Sequence, residues 1–392
     1  MQAHERIDAA CRSMAAFAGR AGISTPAGRE RRYLWTDAYA VGNLLTLHRV
    51  TGAPAHLERA KVLVDLVHEV LGRHRADDVR RGWISGLDDA EGRLHPTAGG
   101  LRIGKPLPER RPDEVFDERL EWDRDGQYFH YLTRWMHALA DLATATGDAR
   151  FLRWAVELAR SAHAGFTYTR ADGRRSMRWK MSIDLARPLV ASMGHHDPLD
   201  GLLTLLRLRA QQRADPAAGD ASTLDAAIAD LHAMAAGLDP TTHDLLGLGG
   251  LLVGLHGLAQ LLARGEGVDR HLFTSLLRSV VVGLAGCDVG RTLRQPAAQR
   301  LAFRELGLAI GLQATTATQR LCAADPDRFG AAAFVQGHLA ALAAHVPIAR
   351  SILQFWLDPQ QQASPSWQAH LDIDEVMLAT ALLGPAGLAV GA

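Results

Sequence analysis

The chain has 392 residues, 47% of them hydrophobic, and its 43 lysines and arginines balance its 43 aspartates and glutamates. This apolar content suffices for a globular core, and the zero formal net charge excludes a protein that binds nucleic acid or an anionic membrane through an overall basic surplus. The three cysteines, Cys11, Cys287 and Cys322, are too few and too scattered for a disulfide scaffold or a cysteine-rich zinc site. Cysteine usage fits a reducing compartment, and the charged first twenty residues lack the apolar centre of a secretory signal, so we expect a cytoplasmic protein.

Almost every periodic stretch of the sequence predicts a helix, and the predicted helices are of two kinds. Those with one polar face span 7–20, 57–74, 151–164, 224–237, 272–286 and 334–356. Those that are apolar or small nearly all round span 36–50, 125–146, 199–211, 245–263, 303–322 and 373–383. Strand signals are weak throughout.

The two kinds of helix alternate along the whole chain. One-faced helices belong on the outside of a fold and uniformly apolar helices belong inside. Six outer–inner hairpins predict an all-α (α/α)6 toroid that occupies residues 1–392 as one domain. The run 245–262 approaches the length of a membrane span, but it contains five glycines and no similar run occurs elsewhere, so we interpret it as a closely packed core helix.

A connection of about fifty residues, 75–123, precedes the second inner helix. It is rich in glycine, proline, arginine and acids, and it carries Trp83, His95, Arg102, Lys105 and Trp122. Loops of this length within a compact domain usually have a function. We therefore expect this segment to cover the mouth of the toroid, meaning the end at which the inner helices start.

Each inner helix starts with polar and aromatic residues. These are Trp35-Thr36-Asp37, Glu121-Trp122-Asp123-Arg124-Asp125, Gly194-His195-His196-Asp197, Thr242-His243-Asp244, Arg304-Glu305, and His370-Leu371-Asp372-Ile373-Asp374-Glu375. Helix capping explains one residue in each group but does not require the neighbouring tryptophans, histidines and additional acids. Six parallel helices would bring these groups together at the mouth, which predicts a functional site there.

This arrangement resembles the six-hairpin glycosidase-like superfamily over nearly the whole chain, in architecture and without a short family signature. The resemblance implies an enzyme that binds a sugar at the mouth through stacking aromatic rings and acts with paired carboxylates, or with histidines in the epimerases. It implies catalytic roles for Asp123, Asp125, His196, Asp197, Asp372 and Asp374. It implies substrate contacts for Trp35, Asp37, Trp83, His95, Arg102, Trp122, Tyr128, Trp179, His195, His243, Glu305 and Trp367.

Glycoside hydrolysis needs one protonated and one ionised carboxyl group, and crowded acids can separate their pKa values in this way. We expect Asp123 or Asp125 to face Asp197 or Asp372 across the mouth, with His196 nearby. The leading interpretation is thus a glycoside hydrolase-like enzyme. The alternatives are a sugar epimerase or isomerase that moves a proton with His195, His196 or His243, and a non-catalytic sugar-binding or scaffold protein.

Three other motifs are weaker. Adjacent His195 and His196 point in different directions and lack the spacing of zinc ligands, so we predict no metal and no cofactor. Residues 99–105 match G-x-x-x-x-G-K, but Pro106 follows and prevents the helix of a nucleotide-binding loop. Asp372-Ile373-Asp374-Glu375 resembles the acid motif of class II terpene cyclases but lacks its last aspartate. The expected partner is a carbohydrate, with no nucleic acid and no membrane; the sequence leaves the oligomeric state open.

Overall fold

The computed structural model describes residues 2–24 and 31–384, and most of them lie in helices. The α-helices are α1 (Ala3–Arg20), α2 (Leu34–Thr51), α3 (Pro54–Leu71), α4 (Asp89–Leu94), α5 (Glu118–Asp123), α6 (Phe129–Thr146), α7 (Ala149–Phe166), α8 (Asp197–Ala214), α9 (Asp225–Ala236), α10 (Leu245–Ala263), α11 (Arg270–Gly286), α12 (Val289–Leu293), α13 (Ala302–Ala324), α14 (Ala332–Ala343), α15 (Val346–Trp356), α16 (Pro359–Gln362), α17 (Pro365–Ala369) and α18 (Leu371–Leu383). The strands are β1 (Gln127–Tyr128), β2 (Thr167–Thr169), β3 (Arg175–Met177), β4 (Lys180–Met181) and β5 (Pro188–Val190).

A helix is present at each of the twelve positions that the sequence predicts, which confirms the all-α class of helical hairpins; the closing of the hairpins into a ring stays a prediction. The predicted helix 334–356 is divided into α14 and α15. Pro347 lies in the first turn of α15. Proline has no N–H to continue an earlier helix and is tolerated in a first turn, so α14 ends and a new helix begins.

The described chain divides into two compact units. The N-terminal unit contains the described residues of 18–45 and 53–237, and the C-terminal unit contains those of 1–17, 46–52 and 238–390. Helices α1 and α2 each contribute residues to both. The prediction of a single toroid domain stays a prediction.

The N-terminal unit combines helices α3–α9 with two small sheets. Strands β1, β4 and β5 form an antiparallel sheet, and β2 and β3 form a hairpin. Tyr128 of β1 pairs with Lys180 of β4. This pairing fixes the start of α6 at Phe129, four residues later than predicted, because the chain first passes through Gly126 at φ 146° and then through β1.

The C-terminal unit is built around the close approach of α10 and α13. A Cβ added at Gly249 of α10 would lie 2.1 Å from the carbonyl oxygen of Gly307 in α13. Two helix backbones approach this closely only where both surfaces lack side chains. Helix α14 by contrast buries one stripe, Val335, Leu339 and Leu342, as an outer helix does.

Two described stretches are long and apolar enough to cross a membrane, Leu245–Ala263 and Ala332–Trp356. The first is the segment that we interpreted as a core helix, and 56% of the residues in an 18-residue window of it are buried within the protein. The second stretch corrects the expectation that no similar run occurs elsewhere. In an apolar 18-residue window of this stretch 22% of the residues are buried, and the stretch is interrupted between α14 and α15.

Candidate functional site

The starts of three inner helices, α2, α6 and α8, lie together in the N-terminal unit. The hydroxyl oxygens of Tyr33, just before α2, and Tyr131, in the first turn of α6, are 2.5 Å apart. Asp200 in the first turn of α8 accepts a hydrogen bond from Thr133 Oγ1 at 2.5 Å and another from Arg134 Nη2 at 2.9 Å. The polar residues of these helix starts therefore form one connected cluster.

A histidine and an aspartate meet within this cluster, and we call His130 and Asp197 the dyad. His130 Nδ1 lies 3.5 Å from Asp197 Oδ1. Asp197 is 4% exposed, whereas the side chain of His130 retains 31% exposure. A buried carboxylate beside Nδ1 can orient an imidazole, which leaves Nε2 as the ring nitrogen that can exchange a proton with a ligand.

Aromatic rings extend from the dyad as a continuous wall. We define the aromatic wall as Tyr33, Trp122, Tyr128, Tyr131 and Trp179. Tyr128 stacks on His130 at 5.3 Å with an interplanar angle of 29°, and Trp179 lies 5.3 Å from Tyr128. Trp122 contacts Trp179 edge to face and is 49% exposed. Tyr128 itself is buried, so it is the exposed face of Trp122 that best suits an amphipathic ligand with apolar C–H faces.

Two tyrosine hydroxyls of the wall, those of Tyr128 and Tyr131, hold their protons. Burial, together with Tyr33, raises the pKa of Tyr131 well above its usual value. Burial also raises the pKa of Tyr128. Since Tyr33 and Tyr131 share one hydrogen bond, the second hydroxyl proton of the pair is available to an acceptor on a ligand.

Asp125, a predicted catalytic residue, is fully buried, and both of its carboxylate oxygens accept hydrogen bonds. Its Oδ2 accepts hydrogen bonds from Arg102 at 2.6 Å and Arg75 at 3.3 Å. Its Oδ1 accepts from the backbone N–H groups of Gly104 and Gly126, each at 3.0 Å. These contacts join the segment 102–104 to the residues just before α6. Asp125 and Arg102 therefore hold this part of the long loop, the connection 75–123, in place.

Glu121 forms a second buried ionic group beside the wall. Lys180 Nζ lies 2.9 Å from Glu121 Oε1 and also donates to the carbonyl oxygens of Glu121 and Arg124. Arg110 Nε donates to the other Glu121 oxygen at 3.2 Å. Asp123, two residues further on, is exposed at the end of α5. Lys180 thereby fastens α5, and with it Trp122, to strand β4.

The remaining predicted residues of this unit are placed in different surroundings. The ring of Trp35 lies 6.4 Å from Tyr131, and Asp37 lies 3.6 Å from Arg32. Trp83 is buried beneath Arg73, and His95 Nδ1 lies 2.7 Å from Glu157 on outer helix α7. One part of the connection 75–123 thus contacts outer helices. Its other part, 102–107, contacts the starts of α2 and α6, and there the Leu34 N–H donates to the Ile103 carbonyl.

His195 and His196 immediately precede α8, and their rings lie 4.6 Å apart. They are neighbours of Asp197 in sequence and so belong to the same helix start as the dyad. Within residues 2–24 and 31–384, no group of three or more histidine, cysteine or acidic side chains is arranged to hold a metal ion.

In the C-terminal unit the starts of α10, α13 and α18 also come together. Arg304 Nη1 donates to Asp244 Oδ1 at 2.7 Å, and Asp244 caps α10 through the Gly247 N–H. The Phe303 N–H donates to Asp374 Oδ1 at 2.8 Å. Three inner helix starts therefore converge in this unit as well.

A buried ion pair lies beneath this second cluster. Glu305 accepts two hydrogen bonds from Arg300, at 2.8 and 2.5 Å, and one from Trp356 Nε1 at 2.9 Å. The guanidinium of Arg300 also lies 3.6 Å from the ring centre of Phe355. Glu305, a predicted substrate contact, is thus enclosed by its partners, and Trp367 stacks on Trp356 with 1% exposure.

Asp374 is the acid of this unit whose pKa departs most from its usual value. It is 1% exposed, and burial raises its pKa to about 8, with a further contribution from the Glu305 carboxylate. Asp372, two residues earlier, is exposed. The His243 ring packs against Gly286, where an added Cβ would lie 2.5 Å from its Nε2.

Sequence reasoning did not identify His130. The predicted helix start at residue 125 drew attention to Asp123 and Asp125, whereas α6 begins at Phe129 and its second residue is His130. The aromatic run Gln127-Tyr128-Phe129-His130-Tyr131 was the available signal. The pairing of β1 with β4, which shifts the helix start, joins residues more than fifty positions apart and leaves no local trace.

Comparisons with known proteins give one structural likeness. The chain is similar to the structure of cellobiose 2-epimerase from Spirochaeta thermophila DSM 6192, with 13% sequence identity, coverage of 90% of this chain and 86% of that chain, and a TM-score of 0.47. No family model matches the sequence, and no curated protein matches it.

Proposed function

We propose that the protein is a carbohydrate-active enzyme that moves a proton on its substrate, as a sugar epimerase or isomerase does. The observation that carries this proposal is the dyad, a partly exposed His130 beside the buried Asp197 and against the aromatic wall. Histidine changes its charge near neutral pH and is the most frequent general base in enzymes. Stacked aromatic rings beside it would hold the apolar face of a sugar ring.

The dyad and the tyrosine pair fit the two demands of proton transfer next to a carbonyl group. His130 would remove the proton from the carbon beside the open-chain carbonyl of an aldose. The free hydroxyl proton of the Tyr33 and Tyr131 pair would stabilise the negative charge that develops on the carbonyl oxygen. Return of a proton to the opposite face, with His195 or His196 as the candidate donor, would give the epimer without any net oxidation.

The two buried carboxylates Asp125 and Glu121 of the same unit fit hydrolysis less well. Glycoside cleavage needs a carboxyl group that is free to protonate the leaving oxygen. Asp125 accepts four hydrogen bonds, and Glu121 is shared between Lys180 and Arg110. These contacts support the epimerase or isomerase alternative over the glycoside hydrolase interpretation.

One observation favours a glycoside hydrolase as the second candidate. Burial raises the pKa of Asp374 to about 8, so this acid carries a proton at neutral pH, as the general acid of a glycosidase must. Release of nitrophenol from nitrophenyl glycosides, lost in Asp374→Asn, would support this second candidate. No release from a panel of such glycosides would remove it.

The decisive experiment follows solvent deuterium into reducing sugars by NMR. The protein is incubated in D2O with glucose, mannose, cellobiose and glucuronate, and the carbon beside the carbonyl is monitored for deuterium and for the epimer. We expect exchange in the wild type and a loss of about 100-fold or more in His130→Gln and Asp197→Asn, as for other general bases.

A second histidine–aspartate pair provides a matched control. His163 on the outer helix α7 has its Nε2 2.9 Å from Oδ2 of Asp230, which lies on α9, and neither residue belongs to the dyad or the aromatic wall. His163→Gln removes an imidazole from a similar pair and should leave the exchange rate unchanged. Equal losses in His130→Gln and His163→Gln would contradict the proposal, as would unchanged exchange in His130→Gln.

A further inference from the structure

Lys105 presents a charged group to the aromatic wall. Its Nζ lies 5.2 Å from the centre of the Tyr33 ring, and Tyr33 in turn contacts Tyr131 through its hydroxyl. Only three of the 43 basic residues in the chain are lysines, Lys61, Lys105 and Lys180. Two of them thus adjoin the aromatic wall, since Lys180 Nζ lies 5.3 Å from the Tyr128 ring centre.

The cations around Lys105 are already neutralised. Arg102 is paired with Asp125, and Arg75 is paired with Asp77. Lys180, whose side chain is 0% exposed, is paired with Glu121. Among residues 2–24 and 31–384, no carboxylate lies within ion-pair distance of the Lys105 ammonium.

The buried carboxylate beside the wall is shared between two cations. Glu121 must serve Arg110 as well as Lys180, so one carboxylate faces two cations. Burial lowers the pKa of Lys180, Glu121 and Asp125 oppose this change, and the positive charge of Lys105 makes a smaller contribution in the lowering direction. The partly exposed Lys105 ammonium, which has no carboxylate partner among the described residues, is available to attract an anion.

We propose that the substrate is an anionic sugar, and that its carboxylate or phosphate group binds Lys105 while its ring lies against the aromatic wall. A flexible ammonium binds either anion as a point charge with up to three hydrogen bonds. The segment that carries Lys105 is well held, because Gly104 donates to Asp125 and the Lys105 carbonyl accepts from Arg75. The nature of the reaction rests on the proposed function; the anion site itself does not.

The small number of lysines allows a direct binding test. Reductive methylation with ¹³C-formaldehyde labels accessible lysines and keeps their positive charge. Lys61, which pairs with Glu58 on outer helix α3, provides an internal reference signal. The signal of Lys105 is assigned by its loss in Lys105→Gln, and that of Lys61 by its loss in Lys61→Gln.

Titration with four probes then tests the proposal. Glucuronate and glucose 6-phosphate distinguish a carboxylate from a phosphate, glucose lacks the charge, and inorganic phosphate lacks the sugar. We expect at least one of the two anionic sugars to move the Lys105 signal, at concentrations at which glucose and phosphate do not, while the Lys61 signal stays in place. No movement with either anionic sugar, or equal movement with glucose or inorganic phosphate, would overturn the anionic sugar site.

Calorimetry on the variants completes the test. Loss of a charge-assisted contact should weaken binding of the effective anionic sugar about tenfold or more in Lys105→Gln, and leave it unchanged in Lys61→Gln. Unchanged affinity in a folded Lys105→Gln would refute the role of Lys105. If the NMR signal of Lys105 moves but no deuterium is exchanged, the anion site is supported and the proton transfer is rejected. If deuterium is exchanged but the Lys105 signal does not move, the proton transfer is supported and the anion site is rejected.

Discussion

Gly194 and Asp197 are in contact at the start of α8, where a Cβ on Gly194 would lie 2.3 Å from Asp197 Oδ2 and 2.4 Å from its Cγ. The carboxylate therefore occupies the volume that any other residue at position 194 would need. Because Asp197 also approaches His130, the glycine fixes the position of the acid within the dyad. A residue without ionisable atoms thus controls the geometry on which proton transfer would depend.

We predict that Gly194→Ala reduces deuterium exchange by about tenfold or more, because the displaced carboxylate no longer orients the imidazole. The control is Gly42→Ala in α2, where an added Cβ meets no atom within 4 Å. Thermal unfolding of both variants checks that they are folded. Unchanged exchange in Gly194→Ala would mean that the position of Asp197 does not matter for the reaction.

The packing of α10 against α13 supplies a prediction about stability. Gly249 and Gly250 are neighbours in the same helix, but a Cβ on Gly249 would meet the Gly307 backbone at 2.1 Å, whereas one on Gly250 meets nothing within 4 Å. Gly249→Ala should lower the free energy of unfolding by about 2 kcal/mol or more, because two helix backbones must separate. Gly250→Ala should raise it by about 0.5–1 kcal/mol through helix propensity.

Urea denaturation of the two variants measures both values. Changes of opposite sign in the free energy of unfolding at these adjacent positions would show that the backbone contact at Gly249, and not a general effect of alanine, causes the loss. Similar effects in both variants would show that α10 and α13 do not pack as closely as described.

Much of the fold, but little of the site, was predictable from sequence. The spacing of apolar residues in helices such as α10 and α13 is a local property of the sequence. It can therefore be recognised without knowledge of the fold, and a helix is present at all twelve predicted positions. The position of Asp374 at a helix start was likewise visible, whereas its burial depends on neighbours from α13. The dyad joins residues on α6 and α8, and its recognition required the start of α6, which a non-local strand pair sets.

Two ion pairs at neighbouring positions should differ strongly in their contributions. Arg300 and Glu305 are paired with 1% exposure of each side chain, whereas Arg304 and Asp244 are about half exposed. Glu305→Gln leaves a buried guanidinium without its counter-charge and should cost about 3–5 kcal/mol of unfolding free energy. Arg304→Met removes an exposed partner and should cost no more than about 1 kcal/mol. Chemical denaturation at one pH compares them, and equal costs would contradict the buried position of the first pair.

The Asp374 carboxyl predicts a characteristic dependence of stability on pH. Burial raises its pKa in the folded protein from the ordinary 3.8 to about 8. Between these values the folded chain holds a proton that the unfolded chain has released. Stability therefore falls as pH rises through this window, by at most about 1.4 kcal/mol per pH unit, and the loss is complete above pH 8.

Asp374→Asn removes the ionisation and keeps an oxygen to accept the Phe303 N–H. The variant and the wild type should be about equally stable near pH 4, and the variant should become progressively more stable than the wild type up to about pH 8. Urea denaturation of both proteins at pH 4, 6, 8 and 9 gives this difference, in which the titrations of distant groups cancel. A difference that is constant over this range would mean that Asp374 ionises in the folded protein as it does in water. Its role as a proton donor in glycoside hydrolysis would then lose its physical basis, because a carboxyl group that is already ionised at neutral pH has no proton to give to a leaving oxygen.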